Sequence, residues 1–150
     1  MASLNQMIGR IKQNQSIQQM SNSGKFPRSE EEIDKIIGYS PRPLQKIITD
    51  KERRFNSQVV HRRFGKTVMK ARKLVVRAVF CPHSKGRYAY FAQTYSSAED
   101  IAWMYIREYQ SKLLKYFGLD PDDPKYTKKN KLIAYIPNFH GGFSRIRLYE

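Results

Sequence analysis

Three consecutive residues of this chain, Gly65, Lys66 and Thr67, have types and an order that predict a chemical function. Gly-Lys-Ser/Thr ends the phosphate-binding loop, whose general form is G-x-x-x-x-G-K-S/T. Glycine lets the backbone approach a phosphate, lysine places a compact positive charge on the outer phosphates, and threonine offers a hydroxyl to Mg²⁺. The tripeptide therefore predicts a nucleotide site in which Thr67 is the metal ligand.

A strand before this loop and a helix after it must position these residues. Residues 57–60 form a short run that ends in two valines, and this run predicts the strand. Beyond the loop, valine and alanine recur at helical spacing over residues 68–79, with lysine and arginine on another face. One feature departs from the general form, because Val60 stands at the place of the motif's first glycine.

Two arginines inside the loop, Arg62 and Arg63, add positive charge beside the predicted phosphate site. A phosphate loop normally requires one cation, which its lysine supplies. The alternative is an ordinary basic turn between a strand and a helix, in which both guanidinium groups are solvated.

Residues 61–67, His-Arg-Arg-Phe-Gly-Lys-Thr, resemble the phosphate loop of the large terminase subunit of tailed bacteriophages. Members of that family are the ATP-driven motors that package DNA into a preformed capsid. Their loop typically reads as a small or polar residue, arginine and two variable residues before Gly-Lys-Thr, and the first glycine is often absent. Because this variant of the motif often lacks the first glycine, Val60 at that position is not a strong objection to a phosphate loop.

The resemblance implies roles for the loop residues. Arg62 would act on the γ-phosphate of ATP, where a guanidinium offsets the charge that develops during phosphoryl transfer. Arg62 and Lys66 are therefore the candidate catalytic residues, and ATP with Mg²⁺ is the expected cofactor. The candidate nucleotide-binding residues of the loop are Arg62, Arg63, Phe64, Gly65, Lys66 and Thr67.

A second stretch, residues 39–45, contains an Arg-Pro-hydrophobic-Gln element upstream of the loop. Pro43 suits the first turn of a helix. The element resembles the adenine-recognition motif of terminases and of related helicase-like motors. Because a glutamine amide can donate to and accept from the adenine edge at once, Gln45 is the candidate adenine-binding residue. The alternative is that Gln45 is a surface residue of the helix.

Composition and charge indicate one compact domain with a polyanionic partner. The 150 residues are 40% hydrophobic and 13% aromatic, which is typical of a globular protein. Lys and Arg number 28 against 13 Asp and Glu, so the formal net charge is +15. From Arg53 to Arg87 there are eleven Lys or Arg and no acidic residue, which favours ATP, DNA or both.

The remaining segments predict the frame of an α/β fold. Residues 1–28 are rich in Asn, Gln and Ser and predict a flexible or weakly helical arm, with docking on a partner subunit as the alternative. Ser29 predicts a capped helix start and Gly38 its end. Residues 88–92 predict a buried strand, and residues 96–99 open a long helix whose aromatic stripe indicates core packing rather than base stacking. Residues 132–136 and 143–149 predict two further strands.

Two further groups of residues give weaker evidence for a function. Cys81, His83 and His140 lack the paired spacing of a metal site, so we expect ordinary turn and core residues there. A basic run either contacts DNA phosphates or forms a solvated face. Its members are Lys125, Lys128, Lys129 and Lys131.

ATP hydrolysis in this class also requires a hydrophobic strand ending in Asp, followed in terminases by Glu. No such element follows Lys66 in these residues. In terminases it lies farther downstream, and the nuclease domain lies beyond it. We therefore expect residues 29–150 to be the N-terminal part of an ATPase domain that binds ATP better than it hydrolyses it.

The expected fold is an α/β phosphate-loop NTPase of the RecA-like type, with a mainly parallel sheet flanked by helices. The resemblance implies translocation of double-stranded DNA into a procapsid, with the small terminase subunit and the portal protein as partners in a homo-oligomeric ring. It also implies a location in the host cytoplasm and, transiently, at the portal vertex, without a membrane partner. The alternatives are another helicase or translocase ATPase and a non-enzymatic basic nucleic-acid-binding protein.

Overall fold

The computed structural model describes residues 24–61, 63–94, 96 and 98–150, together with residues 8, 11, 15, 17 and 19. Its helices are α1 (Glu30–Ile37), α2 (Pro43–Asp50), α3 (Lys66–Val79) and α4 (Met104–Tyr116), and a π-helical segment at Ala98–Trp103 leads into α4. Its strands are β1 (Arg87–Phe91), β2 (Thr127–Lys128), β3 (Ile133–Pro137) and β4 (Phe143–Tyr149), with a 3₁₀ turn at Lys129–Lys131.

Local signals fix the ends of the first two helices. The Ser29 hydroxyl accepts a hydrogen bond from the Glu32 N–H, and α1 ends at Gly38 in the left-handed conformation with φ 71°. α2 begins at Pro43, whose fixed φ suits the first helical position. These predicted boundaries are confirmed.

One mixed sheet has the strand order β1-β4-β3-β2. β1 and β4 are parallel, whereas β3 is antiparallel to both β4 and β2. The predicted α/β class is confirmed, but the prediction of a mainly parallel sheet is wrong. A short turn at residues 138–142 joins β3 to β4, and so tight a connection can only pair strands antiparallel.

The strand predicted at residues 57–60 is not formed. These described residues have no ladder partner, and the side chain of Val59 is 98% exposed. A β-branched run favours a strand because it packs against neighbouring strands and core residues. Here the valines have neither a neighbouring strand nor core residues to pack against, so their β propensity is not enough to form a strand.

β1 confirms the strand predicted at residues 88–92, but the prediction that this strand is buried is wrong, because β1 lies at the edge of the sheet with only one face covered. Its side chains alternate, with Tyr88 and Tyr90 partly buried against the core and Arg87, Ala89 and Phe91 exposed. A strand that is covered on one face shows this alternation, whereas a strand covered on both faces is apolar throughout.

α3 and α4 pack on one face of the sheet and bury the core between them and the strands. Ile146 and Leu148 of β4 belong to this core, and the Ser144 hydroxyl donates to the Ala78 carbonyl of α3 at 2.7 Å. Most of the predicted N-terminal arm lies outside the described residues. Of those described, Ile17 and Phe26 are buried in the same core.

Candidate nucleotide-binding loop

The loop enters α3 through backbone conformations that suit a close approach to an anion. Gly65 precedes the helix with φ 87° and ψ 29°, and Arg63 has φ 69°. Left-handed residues in a turn direct successive N–H groups to one side, which forms an anion-binding concavity. Arg62 lies outside the described residues, so its predicted action on the γ-phosphate stays a prediction.

Lys66 closes the loop on itself. Its ammonium Nζ donates to the Val60 carbonyl at 3.0 Å, across six residues of the chain. Lys66 forms no ion pair within the described part of the chain, and its side chain is exposed. The charge predicted to meet a phosphate is therefore held at the mouth of the loop and is not neutralised by a carboxylate.

The first turn of α3 has N–H groups that the helix itself cannot satisfy. Among the described residues, no side chain caps this end at Gly65, and the Met69 N–H donates to the Gly65 carbonyl at 3.0 Å. The N–H groups of residues 66–68 have no partner within the helix. Together with the helix dipole, they favour an anion beside Gly65.

Gln45 connects α2 to the loop. The side chain is only 5% exposed, and its Nε2 donates to the Phe64 carbonyl at 2.8 Å. Its Oε1 accepts from the Arg42 N–H at 3.0 Å and from the Tyr39 hydroxyl at 3.4 Å. The alternative of a surface residue is therefore wrong.

This geometry gives Gln45 a structural role in addition to the predicted contact with adenine. Two donors already use the amide oxygen, and the Phe64 carbonyl uses one of the two amide hydrogens. Gln45 thus holds the peptide that precedes Gly65. Recognition of adenine by the same amide stays a prediction.

Gly65 is the only residue type that fits its position without displacing Gln45. A Cβ built on Gly65 would lie 2.8 Å from Nε2 of Gln45. Phe64 is buried beside it, and the His61 ring meets Phe64 edge-on with centroids 5.8 Å apart. The apolar anchor and the close amide together fix the path of the loop.

A cavity of about 300 Å³ opens beside Gly65 and Gln45. Its wall opposite the loop comes from α4, through Tyr105, Glu108 and Tyr109. Burial raises the pKa of Tyr109 to about 12, so its hydroxyl is neutral at pH 7. The core packing predicted for the aromatic stripe of this helix is confirmed, because Tyr109 is buried in the core and Tyr105 packs against it.

Most other cations of α3 are neutralised by carboxylates. Lys70 and Lys73 both contact Glu52, at 3.0 and 3.1 Å. Burial raises the pKa of Glu52, but the hydrogen bonds from these two lysines outweigh it, and the pKa lies below its usual value of 4.5. Within the described residues, the cations of α3 without an ion pair are thus Lys66 at the loop end and the exposed Arg77 in the last turn.

Arg72 is buried and binds Asp34 with two hydrogen bonds, at 2.7 and 2.8 Å, and Glu30 with one at 2.7 Å. Burial lowers the pKa of Arg72, and its two carboxylates raise it by more. A larger cavity of about 470 Å³ lies beside these groups. Because the buried guanidinium of Arg72 is held by two carboxylates, we regard its role there as structural.

Among the described residues, no three His, Cys, Asp or Glu side chains converge as a metal site would require. Within that same part of the chain, no helix is long and apolar enough to span a bilayer.

Comparisons of this chain with protein-family models, with curated proteins and with solved structures found no significant match.

Proposed function

We propose that this chain is the ATP-binding part of a viral DNA-packaging motor, a large terminase subunit. The observation that carries the proposal is the loop itself. Gly65 in the left-handed conformation opens α3, Lys66 closes the loop onto Val60, and Gln45 holds the Phe64 carbonyl behind it. A phosphate loop followed by a helix N-terminus is a recurrent anion site.

The residues present fit a triphosphate with Mg²⁺. Lys66 would exchange the Val60 carbonyl for phosphate oxygens, and the free N–H groups of the first helical turn would bind the same anion. Thr67, half-buried in that turn, would hold Mg²⁺ together with phosphate oxygens. Arg62 and Arg63 would add positive charge, and the bound group would supply the phosphoryl-transfer chemistry.

The partners follow from the same proposal. Double-stranded DNA fits a net charge of +15, because neutralised phosphates release counterions. The small terminase subunit, the portal protein, a homo-oligomeric ring and action at the procapsid in the host cytoplasm come from the resemblance. The proposed function also requires that the four-stranded α/β fold be part of a RecA-like domain.

Nucleotide binding tests the proposal directly. We expect Mg²⁺-ATP to bind the chain, and Lys66→Ala to weaken binding roughly tenfold or more because the phosphates lose their cation. Lys46→Ala is the matched control, since Lys46 is exposed on α2 and lines the cavity beside Arg72 rather than the one beside Gly65. Titration of a fluorescent ATP analogue measures both affinities, and equal affinities for the two variants would contradict the proposal.

A non-enzymatic nucleic-acid-binding protein is the second candidate, and the missing strand at residues 57–60 favours it. In that case DNA affinity would be independent of Mg²⁺-ATP. A related candidate is another helicase or translocase ATPase. Duplex unwinding would identify that function, whereas packaging of DNA into procapsids would identify a terminase.

A further inference from the structure

The sheet has a second face that no described helix covers. β4 alternates strictly, with Ser144, Ile146 and Leu148 directed into the core and the residues between them on the other side. The strand register extends this second side across β1 and β2. We define the outer sheet face by the six residues Arg87, Phe91, Lys128, Arg145, Arg147 and Tyr149.

The register places the cations of this face in rows. Arg145 pairs with Arg87 on one side and with Tyr135 on the other. Arg147 shares a row with Ile133, which in turn pairs with Lys128. Neighbouring strands lie about 4.8 Å apart, so these four positive groups occupy a compact area.

None of the four cations is paired with a carboxylate among the described residues. The Nε atom of Arg147 is buried and has no hydrogen-bond acceptor. Like charges directly opposite each other destabilise a sheet, as at Arg87 and Arg145. A polyanion seated on this face would relieve the repulsion.

An exposed phenylalanine ring and a half-buried tyrosine ring border these cations. The ring of Phe91 is 73% exposed and stacks on Tyr149, with centroids 5.3 Å apart and planes 18° apart. The guanidinium of Arg147 lies 4.5 Å from the centre of the Tyr149 ring. An exposed phenyl ring at the end of such a group is a surface on which an unpaired base can stack.

The face has a defined limit. At the opposite end of β4, Phe143 packs against Tyr126, and the neighbouring Lys125 is paired with Asp123 at 2.5 Å. That end is therefore covered and carries an acidic group. The exposed ring and three of the free cations, Arg87, Arg145 and Arg147, lie on β1 and β4, whereas Lys128 lies on β2 at the other edge of the sheet.

We infer that the outer sheet face binds single-stranded nucleic acid, with phosphates on Arg87, Arg145, Arg147 and Lys128 and a base stacked on Phe91. The combination of a basic sheet face with an exposed aromatic ring at its edge suits unpaired bases, because a duplex keeps its bases stacked inside. This assigns a second site, separate from the nucleotide loop, and it does not depend on the proposed ATPase function.

The arginines are tested by removing three charges together. We expect R87Q/R145Q/R147Q to weaken binding of a labelled oligothymidylate of about 15 nucleotides by roughly tenfold or more. The slope of log affinity against log salt should fall by about 2, since each phosphate contact on a single strand contributes about 0.7. The control K35Q/K46Q/K115Q removes the same net charge from exposed positions on the helices.

Fluorescence anisotropy measures the affinity of each variant for the labelled oligothymidylate, and circular dichroism checks that each variant is folded. Equal weakening by the triple arginine variant and by the lysine control would overturn the assignment of this face, since net charge alone would then explain binding. Lys66→Ala should leave oligothymidylate affinity unchanged. A loss there would also contradict the inference, because it would place the strand at the loop.

Phe91 tests the single-strand preference. Phe91→Ala should weaken oligothymidylate binding roughly fivefold or more, because a base loses its stacking partner, while duplex DNA of equal length should be unaffected. Phe91→Trp should retain binding, and both variants change an exposed ring. Equal affinity for single strand and duplex, with no effect of Phe91→Ala, would overturn the inference in favour of a duplex surface.

Discussion

At the scale of single residues, the loop depends on one close contact between a glycine and an amide. Gly65 has a positive φ, and the Cβ of any other residue at this position would lie 2.8 Å from Nε2 of Gln45, which is too close. Two separate physical costs therefore restrict this position, one from backbone conformation and one from steric contact. They can be separated because Gly118 has a similar φ of 70° and no atom within 4 Å of its Cβ position.

Gly65→Ala and Gly118→Ala should therefore differ. Both should lose about 1–2 kcal/mol of unfolding free energy from the left-handed backbone. Gly65→Ala should lose more, and it alone should lose ATP binding, because Gln45 must move off the Phe64 carbonyl. Urea unfolding and nucleotide titration measure the two effects. Identical stability and affinity in the two variants would show that the Gln45 contact has no influence.

The Glu52 carboxylate gives a pH-dependent prediction. Its pKa lies below the usual value because Lys70 and Lys73 outweigh the effect of burial, so the folded state binds fewer protons than the unfolded state near that value. The ion pairs thus contribute stability above the unfolded pKa, and this stability is lost as the pH falls through the lowered folded pKa.

Glu52→Gln should destabilise the protein at pH 7, and its difference from the wild type should shrink as the pH is lowered past about 4.5. Chemical unfolding at a series of pH values measures the difference. Glu31→Gln, at an exposed carboxyl on α1, controls for the general effect of removing a negative charge. A Glu52→Gln difference that grew on acidification would contradict the assigned direction.

At the scale of elements, Arg72 joins α1 to the helix that follows the loop. Its fork binds both oxygens of Asp34, and its Nη1 binds Glu30. The guanidinium also lies 5.7 Å from the ring centre of Tyr39, whose hydroxyl meets Gln45. The clamp therefore positions α1 and the segment that leads to Gln45 relative to the loop.

Arg72→Leu should cost roughly 3 kcal/mol, because it leaves the Asp34 carboxylate, 13% exposed, without its partner. Arg72→Lys should recover only part of this, since an ammonium cannot reproduce the two-oxygen fork. Glu30→Gln should cost below about 1 kcal/mol, because Glu30 is 45% exposed. Urea unfolding at pH 7 gives this ranking, and a fully stable Arg72→Lys variant would contradict it.

At the scale of the whole molecule, the charge of +15 on 150 residues repels itself in the compact state. Much of this charge lies at unpaired positions, including Lys66 and the outer sheet face, while buried pairs hold only a few cations. The protein should therefore gain stability whenever anions screen or bind these groups.

Raising NaCl from about 0.02 M to 0.2 M should increase the thermal unfolding midpoint, because the Debye length falls from roughly 20 Å to below 10 Å. The unfolding midpoint of the R87Q/R145Q/R147Q variant, which has a lower net charge and less repulsion on the sheet, should rise less with salt. Thermal unfolding followed by circular dichroism measures both responses. A midpoint that fell with salt in the wild type would contradict net repulsion as the dominant electrostatic effect.

Short-range features of this protein could be predicted from the sequence because neighbouring residues determine them. The Ser29 cap, the stop at Gly38, the start at Pro43 and the hairpin strands β3 and β4 all depend on local conformational preferences. The Gly-Lys-Thr tripeptide at the start of α3 is likewise local. Composition alone determined the net charge and hence a polyanionic partner as the expectation.

Contacts between residues distant in sequence were decided only by the tertiary structure. The Gln45 amide reaches the Phe64 carbonyl across 19 residues, and the Arg72 clamp reaches Asp34 across 38. The strand predicted at residues 57–60 failed because a strand requires a neighbour, which local propensity cannot supply. Only the sheet order, which places β1 beside β4, aligned the arginines with Phe91 and Tyr149 on one face of the sheet.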